Sequence, residues 1–255
     1  ANPTQGLRKV GSVGFPLPYT DVKIFDCDDA GKVLQEMKID EVGEICVSNL
    51  GVVAGATYTD KDKNKGLYAK GKYLRTGDLG RIDKDGYLWI TGRAKDLIIR
   101  GGHNIDPAMI EEALAGHEQV SFAGAIGQPD AKSGELPCVY VELIDGATVT
   151  KDDLMAFAKE HVHERAAVPK YMEIMNELPK TAVGKIFKPA LRKSAITRVY
   201  NAALKEAELD VTVVSVVESK KRGLVAQLAK GDDRISDKTV TKVLGAFIRP
   251  WEWVE

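Results

Sequence analysis

Gly92-Arg93-Ala94-Lys95-Asp96-Leu97-Ile98-Ile99-Arg100-Gly101-Gly102-His103-Asn104-Ile105 is the stretch at which the residue pattern of this chain changes. Its first half is charged, as a solvated connection between two bodies would be. Its second half is a short apolar run, Leu97-Ile98-Ile99, which reads as a buried strand broken by Gly101-Gly102. Upstream, residues 1 to about 92 are β-rich. Val22-Lys23-Ile24-Phe25 reads as a strand ending in the turn cluster Asp26-Cys27-Asp28-Asp29-Ala30-Gly31. Gly43-Glu44-Ile45-Cys46-Val47-Ser48 alternates as a half-buried strand does. Tyr87-Leu88-Trp89-Ile90 follows Asp83-Lys84-Asp85-Gly86, whose glycine supplies the positive φ of a tight hairpin. With no convincing long helix, this part predicts a small sheet or barrel.

Downstream, helices and strands mix. Asp106 is placed to cap a helix with Pro107 at its first position, and Ile110 and Leu114 share one face. Val120 to Ile126 and Cys138 to Leu143 read as strands. Thr150 and Asp153 form a capping pair ahead of Leu154, Phe157, Ala158, His161 and Val162, spaced as one helical face. A further helix is expected from Pro189 through Leu191, Ala195 and Val199. The tail reads as strand Val211 to Val217, turn Ser219 to Gly223, strand Leu224 to Leu228 and helix Thr239 to Phe247, with Trp251 and Trp253 as anchors. The expectation is an α+β chain in three parts: residues 1–93, 94–204 and an extra α/β tail, 205–255.

The 255 residues carry a formal net charge of −1, which lacks the strongly basic face that nucleic-acid binding requires. Three scattered cysteines suit a reducing cytoplasm better than a disulfide framework. No apolar run approaches the roughly 18 residues of a membrane helix. The chain begins at Ala1 within a Gly/Pro-punctuated stretch, which points to an excised piece.

Three clusters bear on chemistry. Tyr73-Leu74-Arg75-Thr76-Gly77-Asp78-Leu79 contains a Thr-Gly-Asp turn able to aim a carboxylate from a strand end toward paired hydroxyls; alone, it is more commonly a loop Asp bonded to its own backbone. The Gly92–Ile105 stretch, with paired glycines that let a backbone approach another group, is alone more commonly a structural turn. Pro179-Lys180-Thr181-Ala182-Val183-Gly184-Lys185-Ile186 invites a phosphate-loop reading that the spacing refuses. Such a loop needs Gly where Pro179 stands and Ser or Thr where Ile186 stands. What remains is a lysine on a Gly-containing turn ahead of a helix, a residue that is usually just solvated. His161 and His163, two apart on a helix, point to different faces and no metal site is assigned. Gly101-Gly102-His103-Asn104 is close to the attachment sequence of carrier proteins, but Asn104 lacks the hydroxyl that attachment needs.

In order and spacing the three clusters resemble the adenylate-forming superfamily, which comprises acyl- and aryl-CoA synthetases, adenylation domains of peptide synthetases, and luciferases. The Lys95–Pro107 stretch looks most like the acyl-CoA synthetase branch. The resemblance covers roughly residues 10 to 200. It implies that residues 1–93 are the β-rich remainder of a large AMP-binding domain and that 94–204 form a small mobile domain. It further implies that Asp78 and Arg93 meet the ribose of ATP, that Lys95 is the hinge, that Gly101 and Gly102 approach coenzyme A, and that Lys185 is the catalytic lysine of adenylation. The implied partners are a fatty or other organic acid, MgATP (hence Mg2+), coenzyme A and the larger N-terminal body. That body's Gly/Ser/Thr-rich phosphate loop and acidic motif are not among these residues, so the chain alone is expected to be inactive. An adenylation domain serving a carrier protein and a non-catalytic binding module stay open as alternatives.

Overall fold

The computed structural model describes residues 1–28, 30–52, 57–219 and 221–254. Asp29 of the first expected turn and Lys220 of the tail turn lie outside the described residues. Contacts divide the chain into two units, Ala1–Asp96 and Leu97–Glu255.

The first unit is built on a six-stranded sheet. Its strands are β1 (Asp21–Cys27), β2 (Val33–Glu36), β3 (Gly43–Ser48), β4 (Tyr68–Ala69), β5 (Tyr73–Ile82) and β6 (Leu88–Arg93). They lie in the order β2-β1-β3-β5-β4, and β6 pairs with β5. The side chains of Phe25, Cys46, Ala69 and Tyr73 form the core on one face. The hairpin before β6 turns on Gly86 at φ 85°, a conformation that favours glycine. Asp83 fixes this turn: its carboxylate accepts from the N–H groups of Asp85 and Tyr87 and from the Trp89 indole, and it pairs with Lys9 at 2.6 Å.

The second unit opens with a hairpin, β7 (Ile98–Arg100) and β8 (His103–Ile105), then α1 (Pro107–Ala115), β9 (Val120–Asp130), β10 (Gly134–Leu143), α2 (Lys151–His161), β11 (Tyr171–Met175) and α3 (Lys188–Glu206). The sheet runs β11-β10-β7-β8, with β9 paired to β10. Asp106 caps α1 by accepting from the Ala108 N–H, and Thr150 and Asp153 close a reciprocal capping box on α2. Strand β10 shows why both faces of the sheet are covered. Val139 and Val141 enter the core shared with α1 and α2, whereas Cys138 and Tyr140 enter the core beneath α3.

The tail continues as β12 (Val211–Ser219), β13 (Gly223–Lys230), α4 (Asp237–Leu244) and β14 (Trp251–Trp253). It forms a three-stranded sheet, β12-β13-β14, on the far side of α3. There Ile196, Tyr200 and Leu204 pack with Val211, Val213, Ala226, Leu228, Val240 and Leu244. One helix thus serves two cores: Leu191 and Ala195 face the first sheet, and the later turns face the tail.

The structure differs from the sequence expectations in several places. Helix α3 starts at Lys188, one residue early, and α4 spans Asp237–Leu244 because Ser236, not a later residue, caps it. Strand β9 continues past Ile126 to Asp130 because Pro129, which has no N–H to donate, still pairs opposite Glu135. Strand β11 was not anticipated; it pairs in parallel with β10, from Cys138↔Tyr171 to Glu142↔Met175, across the α2 crossover. The Thr-Gly-Asp segment is not a turn at a strand end but lies inside the ten-residue β5.

Candidate functional site

Thr76-Gly77-Asp78 is a bulge. On β3, Glu44 and Cys46 are two apart; their partners on β5, Leu79 and Arg75, are four apart, so the segment between them bows out of the ladder. Gly77 sits at φ 75°, where a side chain would strain the backbone. The bulge is held from beneath. The buried Glu44 carboxylate accepts from Arg75 Nε at 2.8 Å and from the Gly77 N–H at 3.2 Å. The Thr76 hydroxyl donates to the Ile45 carbonyl and accepts from the Asp78 N–H. The Asp78 carboxylate is thereby left unused by its own backbone. It faces Arg93 across the β5–β6 ladder, with Arg93 Nε 3.2 Å from Asp78 Oδ1. Both side chains reach solvent, so the pair contributes at most about 1 kcal/mol and opens readily to a ligand.

Cys27, Glu44 and Cys46 place a sulfur, an oxygen and a sulfur within 4.8 Å of one another in the same sheet. This set does not fit a metal. Arg75 and Gly77 already occupy both Glu44 oxygens, and burial pushes the Cys46 thiol up to about 12 and raises Cys27 as well. It reads as core.

Lys95 lies in the 3-10 turn Ala94–Asp96, exposed, one residue before the boundary of the two units. Gly101 and Gly102 form the two-residue turn between β7 and β8, at φ 55° and 86°. Both positive values are what a type I′ hairpin demands. A Cβ on either residue would meet nothing within 4 Å, so the backbone conformation, not crowding, calls for glycine. Beside this turn Arg100, Gly101, His103, Ser133, Arg165 and Lys170 line one hollow. Nothing local in the sequence marks Arg100, Arg165 or Lys170 as a group. Their common feature is positive charge, but they are spread over seventy residues and only the fold gathers them.

Lys185 stands on a loop tied at its base. The Thr181 N–H donates to the Lys185 carbonyl at 2.7 Å, Gly184 turns the chain at φ 77°, and Lys180 bridges to Ile186. Ile186 packs into the core beneath α3. At the other side of the base, the Lys180 ammonium donates to both Glu142 oxygens at 2.9 and 2.8 Å, over the Phe122 ring, and Glu142 also accepts from the Leu178 N–H. The Lys185 side chain is exposed and makes no ion pair among the described residues. The structure thus brings Asp78 and Arg93 together in the first unit, while Gly101 and Lys185 occupy separate elements of the second. His161 stacks on Phe157 at 3.8 Å, a packing role for that histidine.

Comparison with known proteins bears on this arrangement. Residues 109–185 match the family described as the AMP-binding enzyme C-terminal domain, a match that ends on Lys185. A marinolic acid–CoA ligase of Pseudoalteromonas sp. (strain SANK 73390) is 47% identical over 193 residues, covering 76% of this chain and 29% of that protein. A long-chain-fatty-acid–CoA ligase of Bacillus subtilis (strain 168) is 39% identical over 191 residues, covering 75% and 33%. Among solved structures, ATP-bound MatB from Rhodopseudomonas palustris superposes with a TM-score of 0.67 at 31% identity, covering 75% of this chain and 37% of that one. The chain therefore spans about a third of the length of the relatives it matches. Among the described residues no helix is long and apolar enough to cross a membrane.

Proposed function

We propose, from the premise that this chain belongs through residues 109–185 to the AMP-binding enzyme family, that it forms the C-terminal part of an ATP-dependent acyl-CoA ligase. The carrying observation is the Lys185 loop: a base fixed by Lys180, Glu142 and Ile186 presents one exposed ammonium with no ion-pair partner among the described residues. In the proposed reaction a carboxylate oxygen of a fatty or related organic acid attacks the α-phosphorus of ATP. The bond to the β,γ-pyrophosphate breaks, leaving an acyl-adenylate. The thiol of coenzyme A then attacks the acyl carbon; the C–O bond to AMP breaks and the thiol proton leaves to solvent.

The first step concentrates negative charge at phosphorus, and an ammonium held by a preorganised loop stabilises that charge more than it stabilises the separated reactants. Lys185 is assigned that task. Asp78, projecting from the bulge, is assigned to the ribose hydroxyls, with Arg93 beside it. Mg2+ would arrive on the phosphates of ATP and requires no ligand from these residues. Lys95, next to the unit boundary, is assigned as the hinge about which residues 94–204 would turn as the mobile domain between the two steps. The Gly101-Gly102 turn is assigned to the second step. The basic hollow beside it suits the several phosphates of coenzyme A, which favours that acceptor over a carrier protein.

The test is Lys185→Ala in the intact ligase, with the two half-reactions measured separately. Acyl-adenylate formation is expected to fall by roughly 10²–10³, the value of one preorganised donor. Thioester formation from supplied acyl-adenylate should change little. Equal losses in both half-reactions would remove Lys185 from this role.

A further inference from the structure

The tail beyond α3 is tied to the glycine turn through one buried carboxylate. Strand β7 pairs with β10 through Arg100↔Gly134 alone. One residue away, where the ladder would continue, the Ile99 N–H finds no carbonyl on β10. It donates instead to Glu135 Oε2, at 3.1 Å. The other oxygen of the same carboxylate accepts from Arg249 Nη2 at 2.8 Å. Glu135 is only 7% exposed, so its oxygens rely on these donors in place of water.

Two features mark this as a built arrangement. Gly127, on the neighbouring β9, leaves the space the carboxylate fills: a Cβ there would lie 2.3 Å from Glu135 Oε2. The backbone around Arg249 is itself tied into the tail. The Arg249 carbonyl accepts from the buried Tyr200 hydroxyl at 2.5 Å, and the next carbonyl, Pro250, accepts from Ala226 on β13. A continuous path therefore runs from the tail sheet through Arg249 and Glu135 to Ile99, two residues before Gly101. The Gly101 N–H is in turn held by the Ser133 carbonyl at 2.8 Å. The family match ends 64 residues before Arg249 (185 to 249), so this connection is supplied from outside the matched domain.

We infer that Arg249 and Glu135 are positioning residues that fix β7, and with it the Gly101-Gly102 turn, for the thioester-forming step. This rests on the ligase reading above for its catalytic half; the structural half stands on the contacts alone. Removing Arg249 leaves a buried carboxylate with a single donor. That carboxylate turns toward water, which weakens its bond to Ile99.

The experiment is amide hydrogen exchange on this chain, followed at Ile99 and, as an internal reference, at Ala226. In Arg249→Ala the Ile99 amide is expected to exchange at least about tenfold faster, as befits a lost bond to a charged acceptor, while Ala226 keeps its protection. Arg249→Lys, which retains the cation, should recover part of the protection. Unchanged exchange at Ile99 overturns the clamp. If Arg249→Ala also loosens Ala226, Glu135→Gln decides: faster exchange at Ile99 with Ala226 intact supports the clamp, and no change at Ile99 overturns it. In the intact ligase, Arg249→Ala should slow thioester formation from supplied acyl-adenylate several-fold and leave adenylate formation as it was. Equal effects on the two half-reactions would overturn the positioning role even with the clamp in place. Failure of the unmodified ligase to form acyl-adenylate would remove the ligase reading, and the positioning role with it, without touching the exchange result.

Discussion

Asp78 and Arg93 sit opposite each other on two hydrogen-bonded strands, whereas Lys185 stands at the closing end of a short turn, its backbone held by Thr181 and only its side chain reaching outward. The carboxylate is placed by backbone: a bulge, a glycine at positive φ and a buried Glu44 leave it little choice of position. The lysine has a four-carbon side chain beyond a fixed turn and a charge with no ion-pair partner among the described residues. The difference separates a group suited to receiving a ligand in one geometry from a group suited to reaching one. It can be broken directly. If Asp78 binds and Lys185 acts on the transition state, Asp78→Asn should raise the KM for ATP about 10- to 100-fold, the value of hydrogen bonds to a charged acceptor, and leave kcat nearly unchanged. Steady-state kinetics of the intact ligase would check this. A fall in kcat at constant KM would erase the distinction from Lys185.

The sequence made one side of this comparison easier to see than the other. Caps are local, so Asp106 with Pro107 and Thr150 with Asp153 announced their helices from four consecutive residues or fewer. The change of pattern near Gly92–Leu97 is local too, and the contact units divide after Asp96. The Lys185 turn was legible because its Gly184 and its flanking residues are adjacent in the chain. The bulge at Thr76-Gly77-Asp78 was not, because what bends it is Glu44, more than thirty residues earlier. The same reason hid β11, whose partner β10 lies across a helix, and the basic hollow, whose charges come from two segments some sixty-five residues apart, Arg100 and the Arg165–Lys170 loop. Local periodicity reports which face a residue takes; it does not report which distant side chain fills the gap beside it.

A smaller effect sharpens the comparison from inside the loop. Lys180 and Lys185 differ by five positions, yet Lys180 is committed to Glu142 and Lys185 is not. Lys180→Ala should therefore cost about 1–2 kcal/mol of stability in urea unfolding, since it takes one charged donor from a largely buried carboxylate that keeps the Leu178 N–H. Adenylation should fall only a few-fold, through a loosened base. A loss as large as that of Lys185→Ala would mean the two lysines act as one unit.

The smallest expected effect is a dependence on acid. Burial alone would raise the Glu142 carboxyl, but the Leu178 N–H and the Lys180 ammonium outweigh it and hold the group below the usual carboxylate range. A carboxyl depressed in the folded state stabilises the fold fully above its unfolded value, about 4.3 for Glu. That contribution is lost as pH falls through the lower folded value. The stability gap between the unmodified chain and Glu142→Gln should thus be widest near neutrality and narrow below about pH 4.3. Lys185 has no carboxylate partner among the described residues, so Lys185→Gln should show no comparable narrowing. Urea midpoints of both variants measured from neutral to acid pH would separate the anchored end of the loop from the free one. Parallel curves for Glu142→Gln and the unmodified chain would show that the Lys180–Glu142 tie does not hold the base.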